Sequence, residues 1–170
     1  ATIASKPFFD VDSAYNVAAV VEELKPHSPL LLVSSPGFDP THKVEALARE
    51  KNVTLLTVAM GSPEGYDEAN SFVNQGLKTG NWVLLKNVHL ASQYLSQVEK
   101  RLHHEQHSGH IAANFRLFLS SEPSAKIPSS LIMCSTVMVF EPPPGIKSNL
   151  NRTLGTMTAM QVPSTPRAIP

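Results

Sequence analysis

Five short apolar runs constrain the fold of this chain more than any other feature. They cover residues 30–33, 53–60, 82–85, 115–119 and 137–140, and each has the length of a β-strand. Strands of a parallel sheet that is buried on both faces are apolar almost throughout, whereas a sheet with one wet face alternates apolar and polar residues. The runs therefore predict an α/β fold of three layers, with a five-stranded parallel sheet between two layers of helices.

The segments between the runs carry helical patterns. An entry helix is predicted before the first run, because apolar residues recur at three-to-four spacing from residue 17 to residue 24. Asp12 or Ser13 is expected to cap its N-terminus. Three more amphipathic helices are predicted, beginning near Thr41, after residue 63 and after the third run, and Gly80 is expected to end the second of them.

The composition argues against several classes of partner. The 14 basic and 14 acidic side chains cancel, so no overall field draws the chain to nucleic acid or to an anionic membrane. No apolar run approaches the roughly 20 residues that span a bilayer. Neither nucleic acid nor a membrane is therefore expected as a partner. The single cysteine, Cys134, cannot form an internal disulfide, which fits an intracellular protein, and its apolar neighbours predict a buried thiol.

Proline marks the predicted end of the sheet. Three prolines, at positions 142–144, follow Glu141 directly after the fifth run, and proline lacks the amide donor that a strand needs. We therefore expect a lead-in segment with a helix over residues 1–28, an α/β domain over 29–141, and a linker with the start of a further element over 142–170. The partner of that element is expected beyond residue 170, so the chain is interpreted as a piece of a longer protein.

The end of the third run bears on nucleotide chemistry. In P-loop ATPases the corresponding strand ends in an aspartate that holds Mg²⁺ beside the β and γ phosphates. Here the run is followed by Lys86 and Asn87. Lysine carries the wrong charge for Mg²⁺, and asparagine offers only a neutral carbonyl oxygen. The position therefore predicts a nucleotide-type fold with a degenerate metal site.

The turn after the first run lies where a phosphate-binding loop would lie. Such a loop needs glycines, whose backbone amides close around the phosphates, and a lysine followed by serine or threonine. Residues 35–44 offer Gly37 alone, Pro36 lacks an amide proton, and Lys43 is followed by Val44. Asp39 would in addition repel a phosphate. We interpret the segment as a structural turn in place of a working phosphate loop.

Other polar residues point less strongly to chemistry. His103 and His107 lie one helical turn apart, but the His-Glu-x-x-His order is missing, so an exposed helix end is the preferred interpretation. Residues 61–65 (GSPEG) place the serine one position too early for a nucleophile elbow, which argues against a hydrolase. His89 is expected to bond to backbone in a turn, and Glu122 is given a structural role. No catalytic residue, metal ligand or cofactor is predicted.

Four blocks of the sequence resemble the dynein heavy chain family. They are PGFD at 36–39, GNWVLLKNVHLA at 80–91, FRLFL at 115–119 and VFEPPPGIK at 139–147, in the family's order. The resemblance is to the sixth and last AAA+ module, near the C-terminus, and is closer to cytoplasmic than to axonemal heavy chains. It covers residues 29–153 approximately.

The resemblance implies a ring of six AAA+ modules in one chain, of which the first is the main ATPase and the sixth binds no nucleotide. It implies the strand order 5-1-4-3-2 for an AAA+ large subdomain, followed by a small helical subdomain that begins within 142–170. The implied partners are neighbouring AAA+ modules and dynein complex subunits, with microtubules touched only indirectly, and the implied location is cytoplasmic and cytoskeletal. The resemblance also implies an arginine that contacts the nucleotide of a neighbouring module. The sequence departs from the family here, because residues 117–144 contain no arginine and a single lysine, Lys126.

Three hypotheses follow. The first is a non-hydrolysing structural and allosteric AAA+ module of a dynein heavy chain. The module would support the ATP-driven movement of the full chain towards microtubule minus ends. The second is a small nucleotide-binding enzyme with a degenerate phosphate site, which uses the helix near Thr41 and depends on Lys43. The third is a docking domain for an accessory subunit, which would need an exposed apolar patch.

Overall fold

A computed structural model describes residues 16–141 of the protein. Its five strands are all parallel and form one sheet with the order β2-β3-β4-β1-β5. This is the predicted order 5-1-4-3-2 read from the other edge, so the predicted α/β fold is confirmed. Along the chain the elements are α1 (Val17–Glu23), β1 (Leu30–Ser34), α2 (Thr41–Glu50), β2 (Leu55–Ala59), α3 (Pro63–Thr79), β3 (Trp82–Lys86), α4 (Ser92–Ser108), β4 (Arg116–Ser121), α5 (Ser129–Cys134) and β5 (Thr136–Phe140).

The sheet separates two apolar layers. Neighbouring residues of a strand point to opposite faces. Leu31 and Leu85 pack on one face with residues of α3 and α4, whereas Leu30 and Leu84 pack on the other face with residues of α1 and α2. All four leucines are at most 1% exposed. The sheet is therefore the middle of three layers, with α1 and α2 on one face and α3 and α4 on the other. No helix within residues 16–141 is long and apolar enough to cross a bilayer.

The two edge strands depart from the prediction that every strand is buried on both faces. β2 exposes Thr57 and Ala59, and β5 exposes Val137 and Val139. The three central strands are buried almost throughout. An apolar run predicts a strand from its residue types, but it does not say whether helices reach over that strand on both sides.

The N-terminus of α1 is capped by Asn16, whose side chain accepts a hydrogen bond from the Ala19 amide. The sequence predicted a cap at Asp12 or Ser13 instead, and those two residues lie outside the described residues. A cap acts only on the amides of the first helical turn, so the cap must directly precede the helix. The other predictions for residues 1–15 and 142–170 also lie outside the described residues.

α5 was absent from the sequence prediction because a helix of six residues shows no periodicity. Only Leu131 in this helix is buried. Cys134, its last residue, is exposed, so the prediction of a buried thiol is wrong. The apolar neighbours on which that prediction depended, Ile132 and Met133, are themselves exposed.

Gly76 allows α3 to approach the sheet closely. A Cβ at this position would lie 2.8 Å from both Phe115 Cε2 and Val83 Cγ2, so those side chains would have to move. We predict that Gly76→Ala lowers the free energy of unfolding by about 1–3 kcal/mol, although alanine has the higher helix propensity by about 1 kcal/mol. Urea unfolding followed by circular dichroism measures the change.

Gly61→Ala is the control for this substitution, because a Cβ at Gly61 meets nothing within 4 Å. Its unfolding free energy should change by less than about 0.5 kcal/mol. Equal stability of the two variants would contradict the close approach of α3 to the sheet.

Candidate nucleotide site

A polar cavity of about 300 Å³ lies at the carboxyl ends of the strands, where open α/β sheets usually bind ligands. It brings together the loop after β1 and the residues that follow β3 and β4. Of the residues singled out in the sequence, the cavity wall includes Gly37, Asp39, Asn87 and Glu122. Its full lining is Ser34, Gly37, Phe38, Asp39, Pro40, Asn87, Ser120, Ser121 and Glu122.

The loop after β1 is a tight turn, as predicted. The Phe38 amide donates to the Ser35 carbonyl oxygen at 3.1 Å, and Gly37 has a φ of 80°, which glycine adopts without steric cost. The turn directs the chain from β1 into α2 in six residues.

Asp39 occupies the N-terminus of α2 with its own negative charge. Its Oδ1 accepts a hydrogen bond from the Thr41 amide at 2.9 Å. Partial burial would raise the pKa of the Asp39 carboxyl, but its interactions with Thr41 and the nearby charges of Lys86 and His42 outweigh burial and hold the pKa below its usual value. The positive end of the α2 dipole therefore faces a carboxylate that the chain itself supplies.

Lys86 ends β3 and forms an ion pair with α2. Its Nζ lies 2.9 Å from Glu45 Oε1 and 3.9 Å from Asp39 Oδ2. The side chain of Lys86 is 26% exposed and that of Glu45 is 32% exposed. The residue that ends β3 is thus a cation that is paired with two acids.

Asn87 has a backbone role in the structure. It adopts the left-handed conformation, with φ 58° and ψ 42°, which asparagine tolerates better than most residues. Its amide donates to Ser120 Oγ at 3.2 Å. This hydrogen bond connects the end of β3 to the end of β4. Asn87 directly precedes the short 3₁₀ helix Val88–Leu90.

Lys43 does not line the cavity. Its Nζ lies 5.5 Å from the centroid of the Phe140 ring, in a cation–π geometry at the end of β5. The structure therefore does not bring Lys43 together with the cavity residues Gly37 and Asp39. Pro36 lies in the turn but is likewise absent from the cavity lining.

The remaining polar candidates have structural partners. His89 Nδ1 accepts a hydrogen bond from the Glu122 amide at 3.1 Å, which confirms the predicted turn histidine. Ser62 caps α3 by accepting from the Gly65 amide at 3.4 Å, with Pro63 in the first turn, so the segment 61–65 is a helix start. Gly80 ends the same helix in the left-handed conformation, as predicted.

The histidines of α4 form an exposed helix end, as predicted. The His103 and His107 rings are 4.3 Å apart, and His107 Nδ1 lies 2.7 Å from the His103 carbonyl oxygen. Across the part of the chain that the structure describes, no three His, Cys, Asp or Glu residues are placed to hold a metal ion.

Glu45 was not identified from the sequence. It lies 41 positions before Lys86 and faces it only because α2 packs beside the end of β3. A glutamate on an amphipathic helix is ordinarily a solvated residue. The signal that could have identified it is the lysine at the end of an apolar strand, which needs an acidic partner when it is partly buried.

The comparison with known proteins decides the family. Residues 25–139 match the family described as "Dynein heavy chain region D6 P-loop domain". The chain belongs to the dynein heavy chain family. It is 47% identical to the cytoplasmic dynein heavy chain of Drosophila melanogaster over 150 residues and 45% identical to that of Paramecium tetraurelia over 159 residues. These alignments cover 88% and 94% of this chain but only 3% of each relative.

A more distant relative is the protein named cytoplasmic dynein 2 heavy chain 1 of Chlamydomonas reinhardtii, which is 37% identical over 156 residues. That alignment covers 89% of this chain and 4% of the relative. This dynein heavy chain segment therefore spans a few hundredths of the length of the proteins that it matches. The blocks that suggested the family from the sequence lie largely within the matched region.

Asp39→Ala tests the role of the Asp39 carboxylate at the start of α2. We predict a loss of about 1 kcal/mol in unfolding free energy at pH 7, from the lost hydrogen bond of the Thr41 amide and the lost negative charge at the start of α2. The pKa of Asp39 is lowered from 3.8 in the folded protein, so the wild-type advantage is present above that pH and is lost as the pH falls through the folded-state pKa. Urea unfolding at pH 7 and pH 3 measures both values.

Asp67→Ala is the matched control, because Asp67 is an exposed acid on α3. It should change the unfolding free energy by less than about 0.5 kcal/mol at either pH. If the cost of Asp39→Ala were the same at pH 7 and pH 3, the charge of the carboxylate would have no part in stabilising the start of α2.

The Lys86–Glu45 pair is testable by a double-mutant cycle with Lys86→Met and Glu45→Gln. Because both side chains are partly exposed, we predict a coupling of only about 0.5–1 kcal/mol at low salt. It should fall as NaCl is raised towards 1 M, because salt screens exposed charges. Unfolding free energies of the four proteins give the coupling, and a value of zero at low salt would contradict the pair.

Proposed function

We propose that this chain is the sixth AAA+ module of a cytoplasmic dynein heavy chain and that it neither binds nor hydrolyses ATP. Residues 29–141 form its large subdomain, residues 1–28 lead into it, and residues 142–170 form a linker and the start of a small helical subdomain. The observation that carries the proposal is the contact of Lys86 with Glu45 and Asp39 at the nucleotide edge of the sheet.

The first support comes from the charge at the N-terminus of α2. A phosphate bound there would lie beside the Asp39 carboxylate, which already accepts a hydrogen bond from the Thr41 amide. Two unit negative charges about 4 Å apart repel by roughly 1 kcal/mol in bulk water and by roughly 4 kcal/mol at an effective dielectric constant of 20, and the Asp39 side chain, which is 64% exposed, lies between these limits. That repulsion exceeds the 0.3–1 kcal/mol by which a helix dipole typically favours an anion.

The second support comes from the end of β3. A Mg²⁺ ion that bridges nucleotide phosphates needs an acidic or neutral oxygen ligand there, and Lys86 supplies an ammonium group. Asn87 directs its backbone amide to Ser120 Oγ and lies in the left-handed conformation. The family description names a P-loop domain, and this member of the family combines that fold with a degenerate site.

The role that remains is structural and allosteric. The module supports ATP-driven, minus-end-directed movement of the whole heavy chain along microtubules, and other modules hydrolyse the ATP. Its partners are the neighbouring AAA+ modules of the same chain and, through the whole chain, the dynein complex subunits and the microtubule. This module is cytoplasmic and associated with the cytoskeleton, in keeping with the names of its relatives.

Calorimetric titration with Mg-ATP and Mg-ADP tests the proposal. A cooperative thermal unfolding transition first establishes that the purified chain has formed its sheet. We predict no heat of binding and no shift of the unfolding temperature at millimolar nucleotide. Binding at micromolar nucleotide would stabilise the fold by about 4 kcal/mol at a thousandfold excess over the dissociation constant, and that result would contradict the proposal.

Lys43→Met separates the proposal from the alternative of a small nucleotide-binding enzyme. The enzyme needs Lys43 at a phosphate and would lose nucleotide affinity in this variant. Our proposal predicts no change in nucleotide binding, and a stability loss of about 0.5–1 kcal/mol from the lost contact with the Phe140 ring. Asp67→Ala serves again as the surface control.

A further inference from the structure

The polar cavity at the carboxyl ends of the strands contains an acid that no described residue neutralises. Glu122 directly follows β4, lines this cavity and is half-buried. Within residues 16–141, no cationic nitrogen lies within ion-pair distance of its carboxylate. Its hydrogen bonds are made by the backbone, which accepts from Ser121 Oγ at 2.7 Å and donates to His89 Nδ1 at 3.1 Å. Because buried charges are usually paired, this carboxylate is a candidate ligand group.

A buried hydroxyl in the same wall also has no partner. Ser34 ends β1, lines the cavity and is only 5% exposed. Its side chain makes no hydrogen bond with the described residues, whereas the Oγ of Ser120 accepts from the Asn87 amide. Buried polar groups are nearly always hydrogen-bonded. An unpaired hydroxyl in a cavity wall therefore points to a polar group within the cavity.

The charges around the cavity favour a cation over an anion. Asp39 is the second acid of the wall. Lys86 does not line the cavity, and its Nζ lies 2.9 Å from Glu45 Oε1 and 3.9 Å from Asp39 Oδ2. One ammonium group thus faces two acids and leaves Glu122 without a counter-charge. Three carboxylates against one ammonium group give a local negative potential, which attracts cations.

The wall suits a guanidinium group better than a metal ion. Guanidinium is planar, has N–H donors and no acceptor, and pairs with a carboxylate through two parallel hydrogen bonds. The cavity offers matching acceptors on Asp39, Glu122 and Ser34, and the Phe38 ring lies in its wall, where a guanidinium can stack. A metal ion needs converging ligands, and no three His, Cys, Asp or Glu residues are so placed in the part of the chain that the structure describes.

We propose that this cavity binds a guanidinium group, with Glu122 and Asp39 as its carboxylate partners. The Ser34 hydroxyl accepts one of its hydrogen bonds and the Phe38 ring stacks on it. The group belongs either to a small guanidino compound or to an arginine side chain. A volume of about 300 Å³ is at the low end for ligand sites and suits one such group. This inference rests on the proposed function, under which no nucleotide fills the cavity.

Carboxyl labelling of the intact heavy chain tests the site. A carbodiimide and a labelled amine modify accessible carboxylates, and mass spectrometry gives the rate at each residue. Ethylguanidine is the probe, and ethylurea, its neutral isostere, is the control compound. We expect ethylguanidine at about ten times its dissociation constant to slow the labelling of Glu122 about tenfold, by occupying the cavity. Ethylurea should leave the rate unchanged. Glu105, whose side chain is 27% exposed and lies outside the cavity lining, should keep its rate with either compound.

Glu122→Gln tests the assigned partner, because it removes the charge and keeps the shape of the side chain. In the wild-type heavy chain, ethylguanidine should also slow the labelling of Asp39. The variant should lose this protection of Asp39. Glu105→Gln is the matched control and should leave the protection unchanged. Equal protection of Asp39 in the wild type and in Glu122→Gln would overturn the proposal.

The same labelling separates the two sources of the group. If the carrier is a small compound, Glu122 is labelled rapidly in the purified heavy chain, and ethylguanidine slows it. If the carrier is an arginine side chain, Glu122 is labelled slowly before any probe is added. Glu122→Gln should then raise the reactivity of that arginine towards phenylglyoxal about tenfold, through the loss of a charged hydrogen bond. The absence of both effects would overturn the proposal.

The two proposals can fail separately, because the labelling is carried out without nucleotide. Binding of Mg-ATP in the calorimetric titration would contradict the proposed function, whatever ethylguanidine does. If the titration showed no nucleotide binding and neither ethylguanidine nor an arginine protected Glu122, the guanidinium site alone would fail.

Discussion

All five strands run in one direction, and the arrangement of every other group in this module depends on that constraint. Parallel strands need crossover helices, which cover the faces of the sheet, and they bring all carboxyl ends to one edge. β4 lies between β1 and β3, so the turn after β1 faces the end of β3 across the end of β4. Lys86 can therefore reach Glu45 and Asp39, which precede it by 41 and 47 residues, and Ser120 Oγ can accept a hydrogen bond from the Asn87 amide.

At this edge, charged groups of the chain are paired with one another and with the start of α2. Asp39 accepts the hydrogen bond of the Thr41 amide, a donor that could otherwise bind an anion. Lys86 is paired with Glu45 and Asp39. A protein that binds a nucleotide gains stability when the nucleotide is present and loses it on release. Under the proposed function this module binds no nucleotide, so its stability would stay the same throughout the ATP cycle of the whole heavy chain. That property suits an element that transmits strain between modules without taking part in hydrolysis.

The sequence predicted the parallel sheet, the three layers, the helix that ends at Gly80 and the family, because each depends on residue types that are close together in the chain. Of the residues that it singled out after β1 and β3, Gly37, Asp39 and Asn87 line the cavity, whereas Pro36 and Lys43 do not. It could not supply the partner of Lys86, because Glu45 meets it through packing of α2 against the sheet. It placed Cys134 in the core, because an apolar neighbourhood does not reveal that α5 buries a single residue.

The edge strands illustrate the same limit. Residues 137–140 read as a buried strand, yet burial depends on how far the helices of the other segments extend over β5. The apolar run therefore could not predict that Val137 and Val139 are exposed. Length and residue type determine the strand, and the reach of α3 and α4 determines which of its faces stays open.

The most direct test of the central claim is a structure of the intact heavy chain at saturating concentration of a non-hydrolysable ATP analogue with Mg²⁺. We predict that the cavity beside Asp39 and Glu122 holds no nucleotide and that Lys86 Nζ remains within about 4 Å of Glu45 in the pairing seen here. Nucleotide density in that cavity, with Lys86 turned away from Glu45, would contradict the account.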